Sequence, residues 1–226
     1  MVNITKEEII KHCLIDPFGG LRDLKEHRIK GVGNPIKRFR EDPLRMLRAI
    51  RFASTLGFYI EEKTYEAIKE KNYKILSISK ERWMEELNKI LMSDRPSLGL
   101  THIMATGLFN CMIPELSLQY KYDQNNPHHT LDLWQHTVKV VDGLPKDLNI
   151  RWAGLLHDIG KPHTRKYNEK KDCCNYIKHD FLGADMVEKL AKHLKWSNDM
   201  RNTVKELVLN HMQEESPLRQ ADMGAK

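Results

Sequence analysis

The chain has 226 residues, of which 40% are hydrophobic and 30% charged, with a formal net charge of +6 and a pI near 9.0. That length can bury a sizeable core in one or two domains; no apolar run is long enough to span a bilayer, and the early charges of Met-Val-Asn-Ile-Thr-Lys-Glu-Glu argue against a signal peptide. Cys13, Cys111, Cys173 and Cys174 have no framework spacing and read as reduced thiols, so a cytoplasmic protein with an acidic partner is expected.

Thr5 to Glu8 form a capping-box pattern for a short first helix, which a turn over 16–20 ends. A long helix is predicted from Pro43 to Leu56, stopped by Gly57. Further helices follow near 62–72, 80–92 and 96–106, the last stopped by Gly107. Pro114 and the polar stretch 119–127 mark a junction. Beyond it, helices are predicted near 130–142, 148–159, 180–194 and 198–212, while 161–178 is too polar for a core helix and reads as a loop or small hairpin. The expected fold class is therefore all-α, a helical body followed by a helical bundle, with no internal repeat.

Positive charge concentrates at the start of the long helix. Lys37, Arg38, Arg40, Arg45, Arg48 and Arg51 stand against only Glu41 and Asp42. A spacing of three residues leaves Arg45, Arg48 and Arg51 within one arc, beside an apolar stripe of Leu47, Ile50 and Ala53. On charge alone, a solvated face with ion pairs and a phosphate-binding face are both open. Asp42 followed by Pro43 is in itself a good helix start.

The last hundred or so residues carry His136, the doublet His157-Asp158, His179 and His211 among helical sequence. A lone histidine on a helix is more often a packed or surface residue than a ligand. Here the run from Arg151 to Leu156 is apolar enough to be buried and delivers two adjacent metal-competent side chains before Gly160 and Pro162 stop it. An ionised aspartate there needs a cation or a hydrogen-bond network. Imidazoles with a carboxylate suit divalent Ni, Co, Mn, Fe or Zn, with Mg a further possibility, and an ion with an open position activates water against a phosphate ester.

The His, then His-Asp, then further histidines resemble the HD-domain phosphohydrolases. The stretch from Gln124 to Thr137, Leu155 to Pro162, His179 to Ala184 and Asn210 to Met212 are similar to the HD module of bacterial CCA-adding enzymes and related poly(A) polymerases. Lys178 departs from that pattern, in which glycine often precedes the histidine. Arg38 to Ala53 is similar to the neck helix of class II tRNA nucleotidyltransferases, Glu81 to Leu87 to their next helical motif, and Ile15 to Leu24 to the last strand and turn of their catalytic head. The resemblance implies three parts: 1–35 a remnant of the head, 36–118 a neck and body that binds RNA, and 119–226 an HD domain truncated at its C-terminus. It implies that Asp42 and Arg45 face a nucleotide base, and that Arg38, Arg40, Arg48 and Arg51 contact RNA. The family's two head carboxylates in an Asp-x-Asp arrangement are absent from this chain, so nucleotide addition is not expected of it.

The resemblance also implies His136, His157 and Asp158 as metal ligands, with His179 and His211 completing the shell, holding a second ion or binding phosphate. The set usually ends in an aspartate; Asp222 is the candidate, on a helix expected to be incomplete. His157, Asp158 and Lys161 are the expected catalytic residues. Lys161 and Arg165 are candidates to neutralise phosphate, and His128, His129 and His163 for proton transfer. The leading expectation is a metal-dependent phosphohydrolase acting on 2′,3′-cyclic phosphates or phosphomonoesters of RNA or nucleotides, with tRNA or other RNA as partner and no membrane. The rival is a non-catalytic tRNA-binding body; hydrolysis of a signalling nucleotide would leave the neck unexplained.

Overall fold

The structure is a computed structural model that describes residues 14–127 and 130–225. The predicted capping box at 5–8, Cys13, His128 and His129 lie outside the described residues. Helices dominate, as expected, and the described strands form two small pairs.

The N-terminal part departs from the expected strand. Residues 15–24 form a turn and then helix α1 (Gly20–Lys25), whose first amides are held by Asp16: Gly20 N–H donates to Oδ1 at 2.7 Å and Leu21 N–H to Oδ2 at 2.9 Å. A carboxylate at a helix start satisfies amides that have no partner within the helix. Strand β1 (Arg28–Ile29) comes later and pairs in parallel with β2 (Tyr59–Ile60).

Helix α2 (Pro35–Glu41) runs into α3 (Leu44–Leu56). Leu44, Met46, Leu47, Ile50 and Ala53 are buried, so the predicted apolar stripe faces the core. The helix stops at Gly57, whose φ of 67° suits a residue without a side chain. Its start is shifted from expectation. Pro43 already has helical backbone, and Asp42 closes the preceding helix while its Oδ1 accepts from Leu44 N–H at 3.1 Å.

Helices α4 (Glu62–Lys71), α5 (Lys80–Leu91), α6 (Pro96–Ala105), α7 (Leu108–Met112) and α8 (Pro114–Ser117) complete the body. Helix α3 packs on α5 and α6, and α2 on α4. The bundle beyond the junction contains α9 (Leu133–Gly143), α10 (Leu148–Leu156) and α11 (Lys161–Thr164). It continues with the hairpin β3 (Lys166–Asn168) and β4 (Cys173–Asn175), then α12 (His179–His193), α13 (Asn198–Leu209) and α14 (Pro217–Gly224). Asp132 and Gln135 form a capping box at α9, and Asp147, Ser197 and Ser216 cap α10, α13 and α14.

Body and bundle share one core across α6 and α9. Arg151, 3% exposed, fixes the junction by donating to the carbonyls of Leu91 and Ser93 on one side and Leu144 and Pro145 on the other. Trp152 adds an indole N–H bond to Asn88 Oδ1 at 2.9 Å. Buried carbonyls at helix ends need donors, and one guanidinium supplies several.

Two local features place the doublet. Helix α10 ends at Leu156, three residues before the predicted end, so His157 and Asp158 sit on its closing turn. Gly160 lets that turn press against α12: a Cβ there would lie 2.3 Å from the carbonyl oxygen of His179.

Candidate metal centre

His136 projects from α9, His157 and Asp158 from the end of α10, His179 from the first turn of α12, His211 from the segment after α13, and Asp222 from α14. All six are buried. The predicted ligands thus converge on one point, and the helix carrying Asp222, expected to be incomplete, is formed and brings its carboxylate into the cluster.

Every imidazole is oriented the same way. Nδ1 faces a backbone carbonyl: Gly154 O for His157 at 2.8 Å, Tyr176 O for His179 at 2.7 Å, Val208 O for His211 at 2.7 Å and, more loosely, Ala225 O for His136 at 3.4 Å. A carbonyl only accepts, so Nδ1 carries the proton and Nε2 is the inward-facing nitrogen. The Nε2 atoms of His136 and His157 approach to 3.3 Å, and those of His179 and His211 to 3.2 Å.

The six donors divide into His136, His157 and Asp222, and Asp158, His179 and His211, with the ligand atoms of each group within 4.8 Å of one another. Asp158 stands between the groups. Its Oδ2 is 3.1 Å from His157 Nε2 and 3.5 Å from His136 Nε2, while its Oδ1 is 3.3 Å from His179 Nε2 and 3.9 Å from His211 Nε2. Asp222 Oδ1 is 3.1 Å from His136 Nε2.

The protonation states follow from this crowding. Burial acts to lower the pKa of His136, but Asp158 and Asp222 outweigh it and carry it up to about 9. For His179 burial again opposes, and Asp158 raises it. Burial and the nearby His157 push His211 down to about 4. Asp222 is held at about 2, burial being overcome by His136 and His157, and Asp158 lies well below the usual carboxylate range, where His157 and Lys161 overcome burial.

This donor set fits a divalent cation. Two pairs of imidazole nitrogens meet with their outer protons already spent on carbonyls. Asp158 Oδ2 is fully enclosed without a well-directed hydrogen bond, although Lys161 Nζ lies 2.7 Å away as an ion-pair partner. Such an arrangement is stabilised by positive charge at its centre.

A cavity of about 300 Å³ opens onto the second group and includes Asp158, Lys161, His179, His211 and Asp222 in its wall. Lys161 is buried and held by Asp158 and by Gln124 Oε1 at 3.0 Å. Two sequence candidates do not join it. Arg165 donates to Cys174 Sγ at 3.1 Å and lies over the Tyr122 ring, and His163 is exposed and outside the cavity wall. The structure adds residues that sequence reasoning did not assign: Gln124, Asn126, Tyr176 and Arg219. Gln124 stood at the edge of the resembling stretch, but its contact with Lys161 is made across 37 residues and has no local signal.

The neck candidates lie apart from this centre. Arg45 pairs with Glu41 at 3.0 Å, as does Arg38 at 2.9 Å, and Arg51 binds the buried Glu86 at 2.6 Å. Arg48 lies 3.7 Å from Glu86 and 4.0 Å from Asp42, and Arg40 is exposed. Arg38, Arg45 and Arg48 line a cavity of about 370 Å³ with Phe39 and Phe52; Asp42 and Arg51 are outside its wall.

Comparison with known proteins agrees with both halves of this description. Residues 57–119 match the family described as "Probable RNA and SrmB- binding site of polymerase A", and residues 128–223 match the HD domain. The A-adding tRNA nucleotidyltransferase of Deinococcus radiodurans is 33% identical over 88% of this chain and 48% of its own length. The CC-adding tRNA nucleotidyltransferase of Thermus thermophilus is 31% identical over 85% of this chain and 47% of its own. The crystal structure of the Bacillus stearothermophilus CCA-adding enzyme in complex with CTP matches with a TM-score of 0.56 and 25% identity, over 94% of this chain and 50% of that one. The architecture is thus that of a poly(A)-polymerase-type body joined to an HD domain. Over these residues the chain belongs to the CCA-adding tRNA nucleotidyltransferase family, and it spans about half the length of the curated relatives it matches.

Proposed function

We propose that the chain is an RNA-binding, metal-dependent phosphohydrolase acting on 2′,3′-cyclic phosphates or phosphomonoesters at the ends of RNA or on nucleotides. The observation that supports this most is the set of six buried donors, four of them imidazoles pre-oriented through Nδ1, beside an open cavity that also holds a buried lysine. A structural metal site uses a closed shell; mixed donors with open access suit chemistry. Because Asp158 offers one oxygen to each group of three, we read it as shared between two places for a cation. A bound divalent ion supplies Lewis acidity and brings the pKa of bound water toward neutrality.

The chain's residues then do the following. Gly154, Tyr176 and Val208 fix the tautomers of three ligands through their carbonyls. Lys161 offsets the charge of Asp158 and presents a cation to a phosphate oxygen entering the cavity. Water adds to phosphorus and gives up a proton to solvent, the P–O ester bond breaks, and the leaving oxygen takes a proton from solvent at the cavity mouth. The body, with the neck arginines, holds an RNA such as tRNA so that its end reaches the site; Arg45 and Arg48 face a cavity suited to a nucleotide base.

The other reading is a tRNA-binding body without chemistry. It is favoured by the match of residues 57–119 to an RNA-binding family and by relatives that are twice as long and named for nucleotide addition. One experiment separates them: ring opening of a 2′,3′-cyclic nucleotide to its monoester and phosphate release from a 3′-phosphorylated tRNA with Ni, Co, Mn or Mg, beside His157→Ala and Asp158→Ala. Substituting a residue that merely supports a ligand costs about 10- to 100-fold, so loss of a ligand is expected to exceed roughly 100-fold. Tight tRNA binding with neither ring opening nor phosphate release under any metal would leave the binding reading.

A further inference from the structure

The wall of the cavity holds a second cation that the hydrolase reading does not use. Arg219 lies on α14, one turn before Asp222, and Lys161 faces the same space from α11. The two are not equivalent. Lys161 is 5% exposed and occupied by Asp158 Oδ2 at 2.7 Å and Gln124 Oε1 at 3.0 Å. Arg219 Nη1 is 3.7 Å from Asp222 Oδ2, beyond direct hydrogen-bond range, and 3.9 Å from Met212 Sδ, a weak acceptor. Its side chain is 27% exposed, so the planar fork of donors reaches the mouth of the cavity.

The helix beneath it is anchored. Ser216 caps α14, Pro217 stands in its first turn, and Leu218 is fully buried in the core. Arg219 is therefore held on a fixed element beside the donor cluster. A guanidinium takes two phosphate oxygens in parallel, which an ammonium cannot do. At the rim, Ile177 is 69% and Met212 47% exposed, giving an apolar face beside the cation. The cavity, about 300 Å³, is at the small end of ligand sites, the size for one nucleotide rather than a helical arm.

We propose that Arg219 is a substrate-positioning residue that grips the phosphate of a single terminal nucleotide opposite Lys161, with the nucleoside resting on Ile177 and Met212. This rests on the hydrolase reading for where the phosphate lies. On binding, the guanidinium exchanges its loose approach to Asp222 for two phosphate oxygens. The substrate class is then a nucleoside phosphate or an RNA terminus, rather than an internal diester.

The test uses the full chain loaded with Mn. Calorimetric titration compares inorganic phosphate, cytidine, and the phosphonomethyl analogue of cytidine 3′-phosphate, whose C–P bond resists hydrolysis. Arg219→Met is expected to weaken the analogue and phosphate by about ten- to a hundredfold, the loss of charged hydrogen bonds. Cytidine binding and bound metal should not change, and Arg219→Lys should fall between. Unchanged affinity in Arg219→Met, absence of analogue binding by the unsubstituted chain, or a loss of bound metal in proportion to the loss of affinity would each overturn the proposal; the last would make Arg219 a support for Asp222. Arg219-dependent binding without turnover of 2′,3′-cyclic CMP, cytidine 3′-phosphate or a 3′-phosphorylated tRNA would defeat the hydrolase reading alone.

Discussion

The neck and the HD bundle each gather charge, and they balance it in opposite ways. In the neck, three of the arginines find carboxylates within the protein: Glu41 takes Arg38 and Arg45, and Glu86 takes Arg51. In the bundle, four imidazoles and two carboxylates converge, with Lys161 and a protonated His136 as the internal compensation. A run of basic residues in sequence therefore says less about a ligand than it suggests, because an acid 35 residues away can neutralise it. Converging imidazoles beside two buried carboxylates are more telling, since such a donor set is stabilised by a cation among them. For RNA to use the neck it must displace pairs such as Arg45–Glu41, which are exposed and worth about 1 kcal/mol or less.

The strongest way to break this comparison is Glu86→Ala. Glu86 is 4% exposed and Arg51 binds it at 2.6 Å, so removal leaves a partly buried guanidinium without its partner. The expected loss is about 2–3 kcal/mol, below the range for a wholly buried pair because Arg51 still reaches solvent. Chemical denaturation should record this as a lower midpoint with unchanged bound metal. A loss of RNA affinity without any loss of stability would make Glu86 and Arg51 part of the RNA face instead.

The two regions should also answer differently to pH. His136 is raised from 6.5 to about 9 in the metal-free protein by Asp158 and Asp222, against its burial. Its charge therefore contributes stability that is complete below pH 6.5 and lost as pH rises through 9. An ion and that proton compete for Nε2, so metal affinity should rise by roughly tenfold per unit between pH 6.5 and 8.5. Thermal melts of chelator-treated protein and metal titrations over that window check both signs. The exposed neck pairs of Arg38 and Arg45 with Glu41 should respond to salt instead. A flat metal affinity would remove His136 from the ligand set.

Much of this was legible in the residues. Helix positions followed from apolar periodicity with Gly57 and Gly107 as stops, and the resemblance to the HD pattern pointed to His136, His157, Asp158, His179 and His211, which the structure brings together. What was not legible depends on contacts between distant segments. Arg219 carries no signal of its own beyond standing one turn from Asp222, and Arg165, beside the doublet in sequence, is drawn away by Cys174. The N-terminal stretch misled because Asp16 caps a helix where a strand was expected.

The smallest expected effect comes from a departure visible in the sequence whose reason is visible only in the fold. Lys178, where related proteins often have glycine, has φ 63° and ψ 24°, immediately before the ligand His179. A left-handed backbone costs a side-chain-bearing residue about 1–2 kcal/mol, while glycine loses about 0.5–1 kcal/mol more chain entropy on folding. Lys178 is exposed and its side chain caps nothing, so Lys178→Gly should raise stability by about 0.5–1 kcal/mol. Denaturant midpoints measure it, and metal affinity should stay level, because His179 is held by the Tyr176 carbonyl and not by Lys178. A gain in metal affinity would mean instead that the strain at 178 is transmitted to the ligand.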